Sequence, residues 1–404
     1  MSKIHVMSED LANKIAAGEV VEKTMNVVKE LVENSIDAKS SEIKINLLDS
    51  GVKEITVIDD GVGMDKEDAV LAFSRHATSK LKTLEDLFYI NSLGFRGEAL
   101  PSIAAVSTVI LKTCNGEVGT EVIIDGGTIK EVKSSDLKKG TKITVKNLFY
   151  NTPARAKFLK PSKNEEADIT NILTRLMLAN PQIAFKYVAN GKTVLQTYGG
   201  GLDEAIIEIY GYETISDCIK IETEKNGIYI SGYIGHYYFT KPNRTYQTVI
   251  LNGRYVVNNT VSSAIHNAYA NYLMKRKYPF YVLNIEMLAE TVDVNVHPNK
   301  TDVRFVDNQV VYGTLFSVIS SVLDGAPQAL DIVKSNSYIP VEPSNKPIVK
   351  KTVVSPDELK TVSCERPFVT SFPQAKKQTF TFEDIEKDIT KTENSEKKSS
   401  VDDI

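Results

Sequence analysis

The segment Val27-Val28-Lys29-Glu30-Leu31-Val32-Glu33-Asn34-Ser35-Ile36-Asp37 organises everything around it. Its apolar residues Val27, Val28, Leu31 and Val32 recur at helical spacing, which predicts a helix from near Asn26 to Asp37 with one face on a core. At 100° per residue, Glu30, Asn34 and Asp37 fall in a narrow sector beside that stripe, so polar groups border the core. A carboxylate held there can act on a water as a general base, and an amide oxygen one turn later can complete a Mg²⁺ shell without adding charge. A solvated helix edge has the same spacing, so this helix alone decides nothing.

Upstream, Ser8 is placed to cap an earlier helix whose first turn carries Glu9 and Asp10, and Gly18 is a natural stop. Downstream, Ile43, Ile45 and Leu47 alternate with polar residues, Ser50-Gly51 supplies a turn, and Ile55 to Ile58 returns as a β-rich run: a predicted hairpin. That run leads into Asp59-Asp60-Gly61-Val62-Gly63-Met64, an acidic turn whose glycines allow close backbone approach. A carboxylate there can accept a hydrogen bond from an exocyclic amine such as that of adenine, although an ordinary Asp-Gly loop has the same sequence. Neither a Walker A sequence nor a G-x-G-x-x-G occurs, so a nucleotide would not be held in the P-loop or Rossmann manner.

Gly94-Phe95-Arg96-Gly97-Glu98-Ala99-Leu100 forms a glycine-bounded loop before the helical run Ile103 to Val106. Pro101 belongs in a helix's first turn, which puts the start near Gly97 to Leu100 and aims free N–H groups at the loop, an arrangement that attracts phosphate or simply caps a surface helix. Helical and strand patterns alternate to about Tyr198, where Gly199-Gly200-Gly201 interrupts them. A second α/β unit follows, with a helix Leu202 to Tyr210, strands Ile228 to Ile234 and Thr245 to Leu251, a helix Val261 to Leu273, strands Tyr281 to Ile285 and Val292 to Val296, and a helix Val310 to Leu323. Lys300, after the strand that ends at His297-Pro298, sits on a loop from which it could reach a distant phosphate, and His297 lacks partners at metal-ligand spacing. Beyond Asp331, prolines scattered through Ser, Thr, Lys and Glu predict a disordered tail.

With 48 Lys plus Arg against 52 Asp plus Glu, the net charge of −4 confines any nucleic-acid contact to a local patch. Cys114, Cys218 and Cys364 are too far apart to suggest a disulfide framework or metal cluster, which points to a reducing, cytoplasmic setting. No signal peptide is visible, and the apolar run around Ile103 to Leu111 is shorter than the roughly 20 residues a membrane span needs.

Ile15-Ala16-Ala17-Gly18-Glu19-Val20-Val21, Val28 to Asn34, Arg75-His76-Ala77-Thr78-Ser79-Lys80, the Gly94 to Leu100 run and Leu148-Phe149-Tyr150-Asn151-Thr152-Pro153-Ala154-Arg155 occur in one order. In these motifs, over residues 1 to about 330, the chain is similar to the MutL family of DNA mismatch-repair ATPases, within the GHKL superfamily. The resemblance implies an α/β fold: a Bergerat-type GHKL ATPase sandwich over 1–203, a smaller α/β transducer domain over 204–330, and a disordered linker or tail over 331–404.

It also implies roles. Glu30 would be the base that activates the attacking water, Asn34 the Mg²⁺ ligand and Asp59 the adenine acceptor, with Gly63 giving the base room and Thr141 beside it. Gly94, Arg96 and Gly97 would wrap the phosphates of ATP, Thr78 and Lys80 would lie in a lid formed by roughly Ser74 to Arg96, and Lys300 would reach the γ-phosphate from the second domain. The expected protein is a slow ATP-dependent switch that homodimerises on ATP and couples a MutS-like mismatch-recognition protein to a downstream endonuclease or helicase. It would act at the nucleoid, and whether a C-terminal dimerisation half follows Ile404 stays open at this point.

Two departures from the family pattern bear on this. Glu22-Lys23-Thr24 stands where relatives often read Glu-Arg-Pro, and Asn258-Asn259 stands where further basic residues often follow Asn252-Gly253-Arg254. Candidates for non-sequence-specific DNA contact are then Arg155, Lys157, Lys160 and Lys163, together with Arg254, Lys275, Arg276 and Lys277, each of which could equally be a solvated basic face. A gyrase B-like or histidine-kinase enzyme is the first rival. The Gly-Phe-Arg-Gly-Glu-Ala-Leu wording and the absence of room before Asn34 for a phosphoacceptor helix disfavour it. A non-hydrolysing DNA- and protein-binding scaffold is the second.

Overall fold

The computed structural model describes residues 7, 17–18, 20–80, 92–94, 97–274, 276–293 and 302–335. Helix α1 (Thr24–Asp37) buries Val27, Val28, Leu31 and Val32 almost completely. Full burial of such side chains contributes roughly 1.5–3 kcal/mol each. Strands β1 (Glu42–Leu48) and β2 (Glu54–Asp59) form the expected antiparallel hairpin, with Ile43, Ile45 and Leu47 alternating inward. Asp49, Ser50 and Gly51 all take positive φ in the connecting turn.

Short helices α2 (Lys66–Leu71) and α3 (Ala99–Ala105) precede β3 (Thr108–Cys114), β4 (Thr120–Asp125), β5 (Thr128–Ser134) and β6 (Gly140–Lys146). A single turn, α4 (Pro153–Ala156), leads to the long α5 (Ser162–Ala179), and β7 (Ala184–Ala189) and β8 (Lys192–Tyr198) complete the sheet. Its order is β5-β4-β3-β6-β2-β1-β7-β8, antiparallel throughout except where β1 runs parallel to β7. Helices α1 and α5 share one core with its strands, Leu173, Leu176 and Met177 of α5 meeting the apolar face of α1.

Helix α6 (Leu202–Tyr210) starts and stops where the sequence predicts and is followed by α7 (Tyr212–Ser216). Strands β9 (Cys218–Lys225), β10 (Ile228–Gly235), the short β11 (Thr240–Lys241), β12 (Gln247–Leu251) and β13 (Arg254–Val256) come next, then helix α8 (Asn259–Ala268). The short β14 (Tyr278–Pro279) pairs with β11, and β15 (Tyr281–Glu286) completes a second sheet of order β13-β12-β15-β10-β9. After the two-residue pair β16 (Val292–Asp293) and β17 (Arg304–Phe305), helix α9 (Asn308–Ser335) packs with α8 over this second core.

Three elements depart from the sequence reading. Helix α8 ends at Ala268 rather than Leu273, because Tyr269 turns inward and donates its hydroxyl to the Gly235 carbonyl at 2.5 Å. Helix α9 runs past Asp331 to Ser335, carried by helix formers such as Ala329, Leu330 and Lys334. The rest of the expected tail, like Ser8 to Ala16 of the first predicted helix, lies outside the described residues, but Gly18 is not that helix's stop: Ala17, Gly18 and Val20 are helical and the Val21 amide donates to the Ala17 carbonyl at 2.8 Å. Among the described residues, no helix is long and apolar enough to cross a membrane.

The two sheets are joined by a third apolar cluster containing Leu178, Ile206, Tyr233, Ile250 and Phe280. Arg175 of α5 ties them further. Its guanidinium donates to the Tyr210 hydroxyl at 3.3 Å, to Thr248 Oγ1 at 2.7 Å and to the Thr245 carbonyl.

Candidate active site

Asp59 ends β2 beside Thr141 of β6 and is 8% exposed. Ser35 Oγ donates to its Oδ2 at 2.8 Å and the Gly61 amide to its Oδ1 at 3.0 Å. Burial pushes this carboxyl up, while hydrogen bonds from Ser35, Gly61, Ser40 and Thr141 pull part of the way back. Because Ser35 follows Asn34 on α1, that contact locks the Asn34 turn of the helix to the strand end. Thr141 is buried, its hydroxyl 3.0 Å from that of Thr113, which also accepts from the Met64 amide at 2.9 Å.

Gly63 has a positive φ of 66°, and an added Cβ would overlap the Cys114 carbonyl. The glycine is thus required by close approach to the end of β3, a reason separate from the room it was expected to leave for a base.

The edge of α1 gathers residues from distant parts of the chain. Lys80 Nζ donates to Asn34 Oδ1 at 3.0 Å and lies 2.5 Å from Asp37 Oδ2. Asp37 also accepts from the backbone amides of Leu93 at 2.9 Å and Gly94 at 3.0 Å. A Cβ on Gly94 would stand 3.2 Å from Lys80 Nζ and 3.5 Å from Asn34 Oδ1, so Gly94, Lys80 and Asn34 form one cluster. Thr78 Oγ1 accepts from the Lys80 amide at 3.2 Å, and Gly97, at positive φ, packs its backbone on the Ala77 carbonyl next to Thr78.

Glu30 sits one turn before Asn34, 14% exposed, with Oε1 3.6 Å from Lys29 Nζ. Lys29 makes a closer pair with Glu33 at 2.8 Å. Burial opposes the Lys29 charge, and Glu33 and Glu30 more than offset it, so its pKa is raised.

Arg96, Lys275 and Lys300 lie outside the described residues. Among the expected DNA contacts, Lys157 and Arg276 are exposed, and Lys160 is exposed but holds Asp168 at 2.7 Å. Arg155 is turned toward Gly18, where an added Cβ would overlap its guanidinium. Arg254 corrects the sequence reading. It is 7% exposed and donates to the Ser92 carbonyl, so its charge is not offered to a DNA backbone in this conformation.

Asp37 was legible as part of the polar sector but not as the anchor of Lys80, Leu93 and Gly94. Lys29 gave one signal, a cation flanked by Glu30 and Glu33 next to the apolar stripe.

A mixed sheet whose buried strand-end carboxylate is clamped to an asparagine-bearing helix, with a Gly-x-Gly turn beyond it, matches the GHKL-type ATPase fold. Residues 22–151 match the family model described as "Histidine kinase-, DNA gyrase B-, and HSP90-like ATPase", and residues 206–324 the model "DNA mismatch repair protein, C-terminal domain". The chain is 42% identical over 362 residues to the DNA mismatch repair protein MutL of Clostridium botulinum, covering 89% of this chain and 53% of that one. In fold it is similar to the N-terminal domain of a DNA repair protein, with a TM-score of 0.69 at 24% identity over 79% of this chain and 99% of that one. The ATPase domain of Aquifex aeolicus MutL, solved with ADP, aligns with a TM-score of 0.51 at 25% identity over 67% and 93%. The chain belongs to the MutL family of DNA mismatch-repair proteins. It spans about half the length of the relatives it matches.

Proposed function

We propose that this chain binds ATP with Mg²⁺ and hydrolyses it slowly, using the hydrolysis to switch between states in mismatch repair. The observation that carries the reading is the convergence of Asn34, Lys80 and Gly94 on one edge of α1, with the buried Asp59 carboxylate tied to the next residue, Ser35. Adenine would meet Asp59 and Thr141, and the phosphates would meet Gly94, Gly97, Lys80 and Thr78.

An amide oxygen that already holds an ammonium at 3.0 Å is suited to a cation, which supports Asn34 as the Mg²⁺ ligand. Bound Mg²⁺ supplies charge neutralisation at the phosphoryl oxygens. Glu30 takes the proton of the attacking water, while Lys80, beside the Gly94 backbone, holds the phosphates in line. Arg96 and Lys300 join the phosphate set in the same reading.

Turnover through these parts suits a switch better than a metabolic enzyme, because the Ser74 to Arg96 segment and the second sheet must both be in place. In this reading ATP favours a homodimer that answers a MutS-like mismatch-recognition protein, holds DNA without sequence preference through residues such as Lys157 and Arg276, and licenses a downstream endonuclease or helicase at the nucleoid. The Aquifex aeolicus ATPase domain solved with ADP supports the nucleotide part.

Single-turnover hydrolysis of ATP, with Glu30→Ala as control and calorimetry for binding, tests the reading. Turnover that depends on Mg²⁺ and Glu30 is expected. Tight binding without turnover would make the chain a nucleotide-sensing scaffold, and an absence of binding would sink the proposal.

A further inference from the structure

Strand β13 is an edge strand of the second sheet, yet its first residue reaches the nucleotide side of the first. The Arg254 guanidinium donates to the carbonyl of Ser92, two residues before Gly94. Ser92 Oγ in turn donates to the Gly94 carbonyl at 2.9 Å, and the Leu93 and Gly94 amides are held by Asp37. A three-residue segment is thus gripped from two sides, by a cation from the second sheet and by a carboxylate from α1.

Around it, Lys29, Glu33, Leu93, Leu176, Arg254 and Tyr255 line one cleft. Burial lowers the Arg254 pKa, and the nearby Glu33 and Asp37 carboxylates offset part of that by favouring its charge. A guanidinium can stay charged at 7% exposure only with such partners, and its planar fork fixes direction as well as charge.

We propose that Arg254 is a positioning residue of the nucleotide site, holding Ser92–Gly94 so that the Gly94 amide stays on Asp37 beside Asn34 and Lys80. The inference rests on the ATPase reading above and deepens it. Arg254 touches no reacting atom; it acts through the Ser92 carbonyl. The second sheet thereby sets the geometry of the phosphate end through a residue first read as a DNA contact.

The test compares Arg254→Met, which keeps volume without donors, Arg254→Lys, which keeps charge, Asp37→Asn and the Arg254→Met/Asp37→Asn double variant. Steady-state ATP hydrolysis is measured on each folded variant, together with hydrogen exchange of the Leu93 and Gly94 amides in the nucleotide-free chain. Arg254→Met is expected to lower kcat by about 10-fold or more and to speed exchange by a similar factor, with Arg254→Lys recovering part of both. The double variant should be no slower than the slower single, because both changes release the same segment.

Unchanged exchange in Arg254→Met, or losses in kcat that simply multiply, would overturn the inference while wild-type turnover stands. A wild-type chain without turnover would overturn instead the ATPase reading beneath it.

Discussion

Lys80 Nζ stands 3.0 Å from Asn34 Oδ1 and 2.5 Å from Asp37 Oδ2, so an ammonium occupies the amide oxygen proposed as the Mg²⁺ ligand. Two cations do not share one amide oxygen at contact distance, since their repulsion in a partly buried setting reaches several kcal/mol. A metal ion held by Asn34 would therefore displace Lys80 from this oxygen, in the proposed reading toward the phosphates. Lys80→Met is expected to weaken ATP binding by about 10-fold while lowering the Mg²⁺ concentration needed for half-maximal binding. Calorimetry across a Mg²⁺ series checks this, and an unchanged Mg²⁺ requirement would sink the displacement.

Glu30→Ala should keep ATP binding and lower the single-turnover rate by roughly 10² to 10⁴ fold, the usual scale of general-base catalysis. The fold should survive the change, because Lys29 keeps its shorter pair with Glu33 at 2.8 Å. Undiminished turnover would remove Glu30 from the role.

Asp59 carries a pH dependence whose sign follows from its burial. Its folded pKa lies above the ordinary 3.8, so its contribution to stability is present below 3.8 and is lost as pH rises through the raised value. Ionised Asp59 is then a cost to folding, which the proposed adenine contact would account for. Relative to wild type, Asp59→Asn should gain thermal stability as the pH climbs from about 4 to 7, yet bind ATP at least about 10-fold more weakly. Melting curves over that range with calorimetry at pH 7 decide it; retained affinity would free Asp59 of its adenine contact.

Gly63→Ala should destabilise the fold by more than about 1–3 kcal/mol, since the strain of positive φ adds to the overlap with the Cys114 carbonyl. Gly116→Ala shares the positive φ but meets nothing within 4 Å, and should cost only about 1 kcal/mol. Urea titrations of the pair separate clash from strain, and equal losses would contradict the close approach.

DNA binding, if carried by Lys157 and Arg276, should weaken on Lys157→Ala or Arg276→Ala across sequences, with the slope of log affinity against log salt reduced by about 1 for each lost phosphate contact. Filter binding at several salt concentrations measures this. A slope unmoved in both variants would exclude the exposed pair.

Much of the floor of the site was legible before the structure. Helix α1 was predicted over Asn26 to Asp37 and spans Thr24–Asp37, since its apolar stripe is local information. The hairpin leading to Asp59 followed from alternation and a turn. What the sequence hid is long-range and polar. Lys80 meets Asp37 across 43 positions, and Arg254 meets Ser92 across 162, without any periodicity to announce either. A basic residue after Asn-Gly reads as surface, because burying a guanidinium depends on carboxylates that only the fold delivers. The pairing of Lys29 with Glu33 is by contrast local, four residues apart on one helix beside the apolar stripe.

The parallel pairing of β1 with β7 has a consequence for how the molecule is made. Strand β1 leaves the ribosome early, but Ala184–Ala189 is synthesised about 140 residues later, so one flank of the growing sheet waits with its amides and carbonyls unpaired. Chains broken off before β7 carry that open flank permanently and can join it to the same flank of another copy. Helix α5, emerging just ahead of β7, joins the core that α1 already shares with β1 and β2, and it delivers β7 to the waiting edge.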